Sequence, residues 1–243
     1  MLVVVGIERA TKLLGHLSLD TKAYTATVRL GQATDTDDAE GRSMATSDNR
    51  PTQREIEAIL PDFHGEILQT PPQFSAIKIE GERAYDLARA GQAVDLKPRL
   101  VTIEHLELLG RPDADHADFV VGCGKGTYIR SLGRDLAKAV GTVGHLSALR
   151  RTVVGPFREA AAISLPKLEA LGHNSRLLGA LAPVATALDD IPALALTEAQ
   201  ASRLRQGQPL TSTQDAPTSG ALYRAEQDQR QRNRALHQHR VAR

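Results

Sequence analysis

A glycine-rich turn, Gly122-Cys123-Gly124-Lys125-Gly126-Thr127, delivers Tyr128-Ile129-Arg130-Ser131. An aromatic ring offers a stacking face for a flat heterocycle. A guanidinium can hold a carboxylate through two parallel hydrogen bonds. Tyr128 and Arg130 stand two apart, so in extended chain they project to the same side. Further on, Gly144-His145-Leu146-Ser147-Ala148-Leu149-Arg150-Arg151 reads as a second loop that returns a leucine and two cations. Arg150 and Arg151, with Arg158 and Lys167 nearby, could contact phosphates. Two adjacent arginines are equally an ordinary solvated pair. The glycine turn is not a phosphate loop of the Walker kind. That loop needs Lys followed directly by Ser or Thr at a helix start, and here Gly126 follows Lys125.

Other groups carry less. Thr34-Asp35-Thr36-Asp37-Asp38-Ala39-Glu40-Gly41 is an acidic loop. A calcium loop needs oxygen ligands at its first, third and fifth positions and glycine at the sixth. Counted from Asp35, alanine falls fifth and glycine seventh, so a solvated turn is expected. His145 has no companion at metal-ligand spacing and reads as structural or RNA-contacting. Cys123 is the sole cysteine, which excludes an internal disulfide and a cysteine-rich zinc site and fits a reducing cytosol. The opening Met1-Leu2-Val3-Val4-Val5 is too short to span a membrane and lacks a basic leader. Thirty Lys+Arg against 29 Asp+Glu give a net charge of +1, so any argument for nucleic acid must be local.

These groups need elements to hold them. Tyr24, Ala26, Val28 and Leu30 alternate with Thr25, Thr27 and Arg29, a half-buried strand ended by Gly31. Thr52 with Glu55 predicts a capping box, and Ile56, Ile59, Leu60 and Phe63 follow at helical spacing. Phe74 to Ile79, Val101 to Leu109 and Phe119 to Cys123 read as further strands. Arg83 to Ala90 and Ser131 to Val140 read as helices stopped by Gly91 and Gly141. Short turns join several strands, so the expected class is α+β, a mixed and mainly antiparallel sheet with flanking helices. Thr197 caps a further short helix ending at Gly207. From Gln227 the chain turns Gln/Arg/His-rich, and disorder is the expectation there.

Four blocks in order resemble the bacterial tRNA pseudouridine-55 synthases, the TruB family. They are Lys22-Ala23-Tyr24 with Arg29-Leu30-Gly31 and the acidic loop; Pro71-Pro72-Gln73-Phe74-Ser75-Ala76-Ile77-Lys78 with Gly81, Ala84-Tyr85 and Ala88-Arg89-Ala90-Gly91; the Gly126 to Leu136 run; and Gly144 to Arg151 continued by Thr152-Val153-Val154-Gly155-Pro156-Phe157. The match runs over roughly residues 2 to 210. It implies a pseudouridine synthase core over 1–182, a linker and partial PUA-like region over 183–226, and a basic tail over 227–243. It also implies a cytoplasmic enzyme, expected to be monomeric, that flips a T-loop uridine out of its stack. An aspartate attacks the nucleotide, the uracil detaches, turns and rejoins through carbon 5, and neither cofactor nor metal takes part. Carried over, Tyr24 would stack on the flipped base, Tyr128 would line its pocket, and Leu149 would form its apolar wall. Arg130 would pair with the catalytic aspartate, and Asp38 would lie near the active site. Arg150 and Arg151 would contact the RNA backbone.

The resemblance also predicts a missing part. The family carries its nucleophile in a Gly-x-Leu-Asp-Pro-x-Ala-x-Gly block just upstream of the segment that Met1 to Gly6 resembles. No Asp-Pro dipeptide occurs in these 243 residues. Asp20 is close to Tyr24 in sequence, but nothing places it opposite Arg130. The chain as written is therefore expected to be inactive. The alternative is a non-catalytic RNA-binding remnant that keeps the pocket and the basic rim.

Overall fold

The computed structural model describes residues 2–17, 21–79, 82–89, 96–172, 175–188, 192–209 and 224–227. Asp20, Gly81, Ala90-Gly91 and residues 228–243 lie outside them. The chain divides into two compact units, Met1–Leu181 and Ala182–Arg243.

The first unit is built on β1 (Lys22–Leu30), the strand that the alternation around Tyr24 predicts. After it come β2 (Gln32–Thr34), β3 (Ser43–Thr46), β4 (Gly65–Gln69), β5 (Lys78–Ile79), β6 (Glu82–Arg83), β7 (Arg99–Gly110), β8 (His116–Cys123), β9 (Gly144–Val154) and β10 (Phe157–Arg158). Six of them form one sheet in the order β10-β9-β1-β8-β7-β4, and every neighbouring pair runs antiparallel. The short α1 (Leu14–Leu17), α2 (Gln53–Ile59), α3 (Ala84–Arg89), α4 (Ile129–Ala139) and α5 (Leu165–Leu171) accompany it. The α+β expectation holds.

α4 carries Ile129, Leu132, Gly133, Leu136 and Ala137 on one buried stripe, the spacing of an amphipathic helix. That stripe packs on Ala26 and Val28 of β1, Phe119 and Val121 of β8, and Leu146 of β9. Each fully buried leucine there contributes about 1.5–3 kcal/mol. Gly133 sets the approach: a Cβ on it would lie 3.1 Å from Leu146 Cδ2 and 3.2 Å from Val28 Cγ2. α2 begins with the expected box, in which Thr52 Oγ1 accepts from the Glu55 amide and the Thr52 amide donates to Glu55 Oε2 at 2.6 Å.

Three sequence expectations change. Gly144 to Arg151 is no loop; it is most of β9, paired with β1 along its whole length. Register shifts at Ala23/Tyr24 and Thr27/Val28 break the period-two pattern, so the strand does not announce itself by alternation. Of Phe74 to Ile79, only Lys78–Ile79 pairs as strand, with Glu82–Arg83. The helix after the glycine turn starts at Ile129, with Tyr128 as its N-cap, so Tyr128 and Arg130 are not two residues of one extended segment. In residues 2–7, Leu2 donates its amide to the Arg151 carbonyl at 3.2 Å, while Val3, Val5 and Ile7 face outward.

The second unit holds β11 (Ala193–Leu196) and β12 (Arg224–Gln227), paired in parallel, and α6 (Glu198–Arg205). Thr197 caps α6 as the sequence predicts, and Gln200 completes a capping box with it. Among the described residues, no helix is long and apolar enough to cross a membrane.

Candidate active site

The glycine turn leads from β8, inside the sheet, into α4, and α4 opens the site. Its N-cap amide, on Tyr128, donates to Gln69 Oε1 at 2.8 Å. Gln69 ends β4 and is 1% exposed, so a buried amide takes one of the unpaired donors of the first turn. Arg130 follows in that turn. Its Nη1 donates to Asp38 Oδ2 at 2.9 Å and to the Thr36 carbonyl at 3.0 Å, and its Nη2 donates to the Phe74 carbonyl at 2.8 Å. One guanidinium thus joins α4, the acidic loop and the Pro-Pro loop.

The acidic loop is folded by its own short side chains, as Asp and Thr turns are. Thr34 Oγ1 donates to the Asp38 carbonyl at 2.7 Å, and Thr36 Oγ1 donates to Asp38 Oδ1 at 2.6 Å. The Glu40 amide reaches the same carboxylate at 3.1 Å, and the Arg42 amide reaches Asp35 Oδ1 at 2.8 Å. These carboxylates are committed to amides, hydroxyls and arginines. Among the described residues, no group of three or more His, Cys, Asp or Glu could hold a metal ion.

Sequence reasoning missed the next pair. Arg134, one turn beyond Arg130, donates through Nη1 to Asp37 Oδ2 at 2.8 Å and through Nη2 to the Thr70 carbonyl at 2.9 Å. It also pairs with Asp135 at 3.0 Å. Asp37 sits at φ 58, in the left-handed region, and its carbonyl accepts from the Leu146 amide of β9 at 3.0 Å. Burial pushes the Asp37 carboxyl above its usual range, and Arg134 only partly opposes this. Burial pulls the Arg134 guanidinium down, but Asp135 and Asp37 together outweigh it and hold it high. The arginine is shared between two carboxylates, whereas Asp37 has mainly one arginine. The i, i+4 spacing of Arg130 and Arg134 was the available signal.

A second group lies on the helix-covered face of the sheet. β9 places Arg151 opposite Tyr24 and Leu149 opposite Ala26, so the three side chains share one face. The Arg151 guanidinium carbon stands 5.6 Å from the Tyr24 ring centroid. Tyr24 is 7% exposed, and burial raises its hydroxyl pKa, with Arg151 pulling the other way. Leu149 is 41% exposed, an apolar side chain left open beside them. Tyr24 and Ile129, the residue before Arg130, belong to one apolar cluster. Asp38 bridges to Leu146, three residues before Leu149 on β9.

Tyr128, Arg130 and Asp38 therefore gather at the start of α4, while Tyr24, Leu149 and Arg151 line the adjoining sheet face. Arg150 points away from that face. Its Nε donates to Glu159 Oε2 at 2.9 Å, so this cation already has an anion. His145 is buried, and its Nδ1 lies 2.7 Å from the Gln32 carbonyl, the structural one of its two expected roles.

Comparison with known proteins gives the family and the fold. A family model described as TruB family pseudouridylate synthase (N terminal domain) matches residues 2–129. Another, described as tRNA pseudouridylate synthase B C-terminal domain, matches residues 130–189. Similar curated proteins include the tRNA pseudouridine synthase B of Bradyrhizobium diazoefficiens, 53% identical over 227 residues, which cover 90% of this chain and 66% of that protein. That of Caulobacter vibrioides is 54% identical over 203 residues, 84% of this chain and 66% of that one. The chain thus spans about two thirds of the length of these relatives. Among solved structures, a crystal structure of a Cbf5-Nop10-Gar1 complex matches with TM-score 0.65 at 24% identity, over 91% of this chain and 61% of that one. An H/ACA RNP bound to a substrate RNA containing 2'-deoxyuridine matches with TM-score 0.66 at 21% identity, over 91% and 60%. Both share the fold.

Proposed function

The chain belongs to the TruB family of pseudouridylate synthases, and on that premise we propose that its site serves the isomerisation of a tRNA uridine to pseudouridine, with uridine 55 of the T-loop as the target. The observation that carries the proposal is the Arg130 clamp. A guanidinium fixed by Asp38, Thr36 and Phe74 stands at a helix N-terminus beside a sheet face bearing Tyr24 and Leu149. A detached uracil needs a stacking surface to stay bound, and an attacking carboxylate needs a fixed cation to stay ionised. Tyr24 supplies the first and Arg130 the second, with Tyr128 lining the pocket and Leu149 walling it. Asp38 holds Arg130 in place. Arg151 meets the RNA, and Arg150 reaches a phosphate once Glu159 lets go. The reading takes the protein as a cytoplasmic monomer with a synthase core over 1–182, a partial PUA-like region over 183–226 and a basic tail over 227–243.

The 243-residue chain assayed alone is proposed to bind tRNA without turning it over. Asp38 is the carboxylate bound to Arg130, and both of its oxygens are engaged, by Arg130, Thr36 and the Glu40 amide. A carboxylate so tied is poorly placed to attack a sugar carbon. This favours the second reading, RNA binding without isomerisation, for the polypeptide on its own. The test is tritium release from uridine labelled at carbon 5 in a T-loop tRNA. The expected result is binding without release by the chain alone, and release once an upstream Asp-Pro block is joined in frame. Release by the chain alone would overturn the assignment of Asp38 as a positioning group. Failure of the extended polypeptide to release tritium would overturn the functional reading.

A further inference from the structure

Two adjacent aspartates, Asp37 and Asp38, reach two arginines one helical turn apart on α4, and the first of these ion pairs has no assigned role. The backbone explains how neighbours can do this. Asp37 adopts φ 58, and a left-handed residue turns the chain so that consecutive side chains diverge. Asp37 then meets Arg134 at 2.8 Å, and Asp38 meets Arg130 at 2.9 Å. A non-glycine residue in that region carries strain, and such strain persists only where surrounding contacts over-determine it. The contacts are present on both sides: Arg134 holds the Asp37 carboxylate, and the Leu146 amide holds its carbonyl at 3.0 Å. Arg134 also holds the Thr70 carbonyl at 2.9 Å, in the segment whose Phe74 carbonyl accepts from Arg130.

Stability alone does not account for the pair. The Asp37 side chain is 13% exposed, and burial outweighs Arg134 in setting its proton affinity. Taking two charges out of water offsets much of their attraction, so a part-buried ion pair adds little to folding and is better explained by the geometry it selects.

We infer that Arg134 and Asp37 are positioning residues that fix the acidic loop so that Asp38 and the Thr36 carbonyl meet Arg130. The inference deepens the reading of Arg130 as the site's cation, but its test is independent of substrate. Arg134 donates its hydrogen bonds to Asp37, Asp135 and the Thr70 carbonyl. It acts by holding the loop and the Thr70 segment that supply three acceptors to Arg130.

The test is nitrogen-15 NMR of the arginine side chains in the 243-residue chain. The Arg130 resonances are assigned by their loss in Arg130→Lys. A guanidinium held by three acceptors rotates slowly and gives resolved Nη signals. The parent is expected to show them. Asp37→Gly keeps the left-handed backbone without strain and removes only the carboxylate. It is expected to keep the thermal midpoint within a few degrees and to lose the resolved Arg130 pair. Arg134→Lys is expected to do the same, since an ammonium lacks the planar fork. Resolved Arg130 signals surviving in Asp37→Gly would overturn the inference, and so would their absence in the parent. Should Arg134→Lys fail to fold, Asp37→Gly alone decides. Failure of the tRNA assay would leave this result untouched, and loss of the inference would leave the tRNA assay standing.

Discussion

Replacing Arg130 with alanine removes three hydrogen bonds at once: to Asp38 at 2.9 Å, to the Thr36 carbonyl at 3.0 Å and to the Phe74 carbonyl at 2.8 Å. A hydrogen bond to a charged group contributes about 1.5–3 kcal/mol when well shielded. The Arg130 and Asp38 side chains are 24% and 29% exposed, so water takes over part of each contact. Discounted for that, about 1 kcal/mol per contact is reasonable, or about 3 kcal/mol for Arg130→Ala. Asp38→Ala loses its own three contacts, to Arg130, Thr36 and the Glu40 amide, and should cost about 2–3 kcal/mol. Only the Arg130–Asp38 bond is counted twice. The double variant should therefore fall short of the summed single losses by about 1 kcal/mol. The assay is urea unfolding of the parent, both single variants and the double variant, read by circular dichroism at one pH and salt concentration. Coupling below about 0.3 kcal/mol would mean that the two residues act independently, and it would falsify the clamp.

Three further outcomes follow from the same geometry. Gly144→Ala should destabilise by about 1–3 kcal/mol in urea melts, because its Cβ would lie 2.7 Å from Ala137 Cβ and 2.8 Å from the Arg29 carbonyl. Ala137→Gly should restore only part of this loss, since the backbone contact remains; full restoration would count against the strand-to-helix spacing. The effect of Asp37→Asn should depend on pH. Burial raises the folded pKa of Asp37, so its contribution to stability is present below the unfolded carboxylate pKa and is lost as pH rises through the folded value. The asparagine variant should thus gain relative to the parent as pH rises from the unfolded carboxylate pKa through the folded value, and a relative loss over that rise would contradict the assignment. Glu159→Gln frees Arg150 and should tighten tRNA binding with a steeper salt dependence, measured by filter binding; unchanged affinity and slope would remove Arg150 from the RNA contact set.

The sequence made some elements legible and hid others, for physical reasons. β1 shows because one face of it is buried throughout, giving clean alternation from Tyr24 to Leu30. The capping box at Thr52 and the cap at Thr197 show because their chemistry is local. β9 does not show, because two bulges shift its register against β1 and its outward residues include Arg150. α4 starts two residues before the Ser131 that the sequence suggests, because Tyr128 is not a usual N-cap and its first-turn donor is met by Gln69, 59 positions away. The motif marks Arg130, and the resemblance implies only that Asp38 lies near it. That the two bond directly depends on a left-handed turn at Asp37, which a residue other than glycine or asparagine seldom signals.

The site therefore rests on two helix turns that do two different things. Ile129, Leu132 and Leu136 bury α4 against the sheet, and that apolar seam fixes where the helix starts. Arg130 and Arg134, on the flank of the same two turns, reach into the acidic loop of residues 34–41, which has little apolar surface of its own, and onto the carbonyls of the Pro-Pro loop. The acidic loop could not hold a defined shape by burial, so charge and hydroxyl contacts hold it instead. It follows that the helix and the loops need not lose order together. A substitution in the seam, such as Leu132→Ala, should cost about 2–5 kcal/mol of global stability. One in the flank should loosen the loops first and leave the sheet intact. Hydrogen exchange separates the two: the Leu146 amide, which donates to the Asp37 carbonyl, should lose protection in Arg134→Lys while the amides paired between β1 and β8 keep theirs. Equal loss at both would show that the loops and the core open as one unit, and the division of labour along α4 would fail.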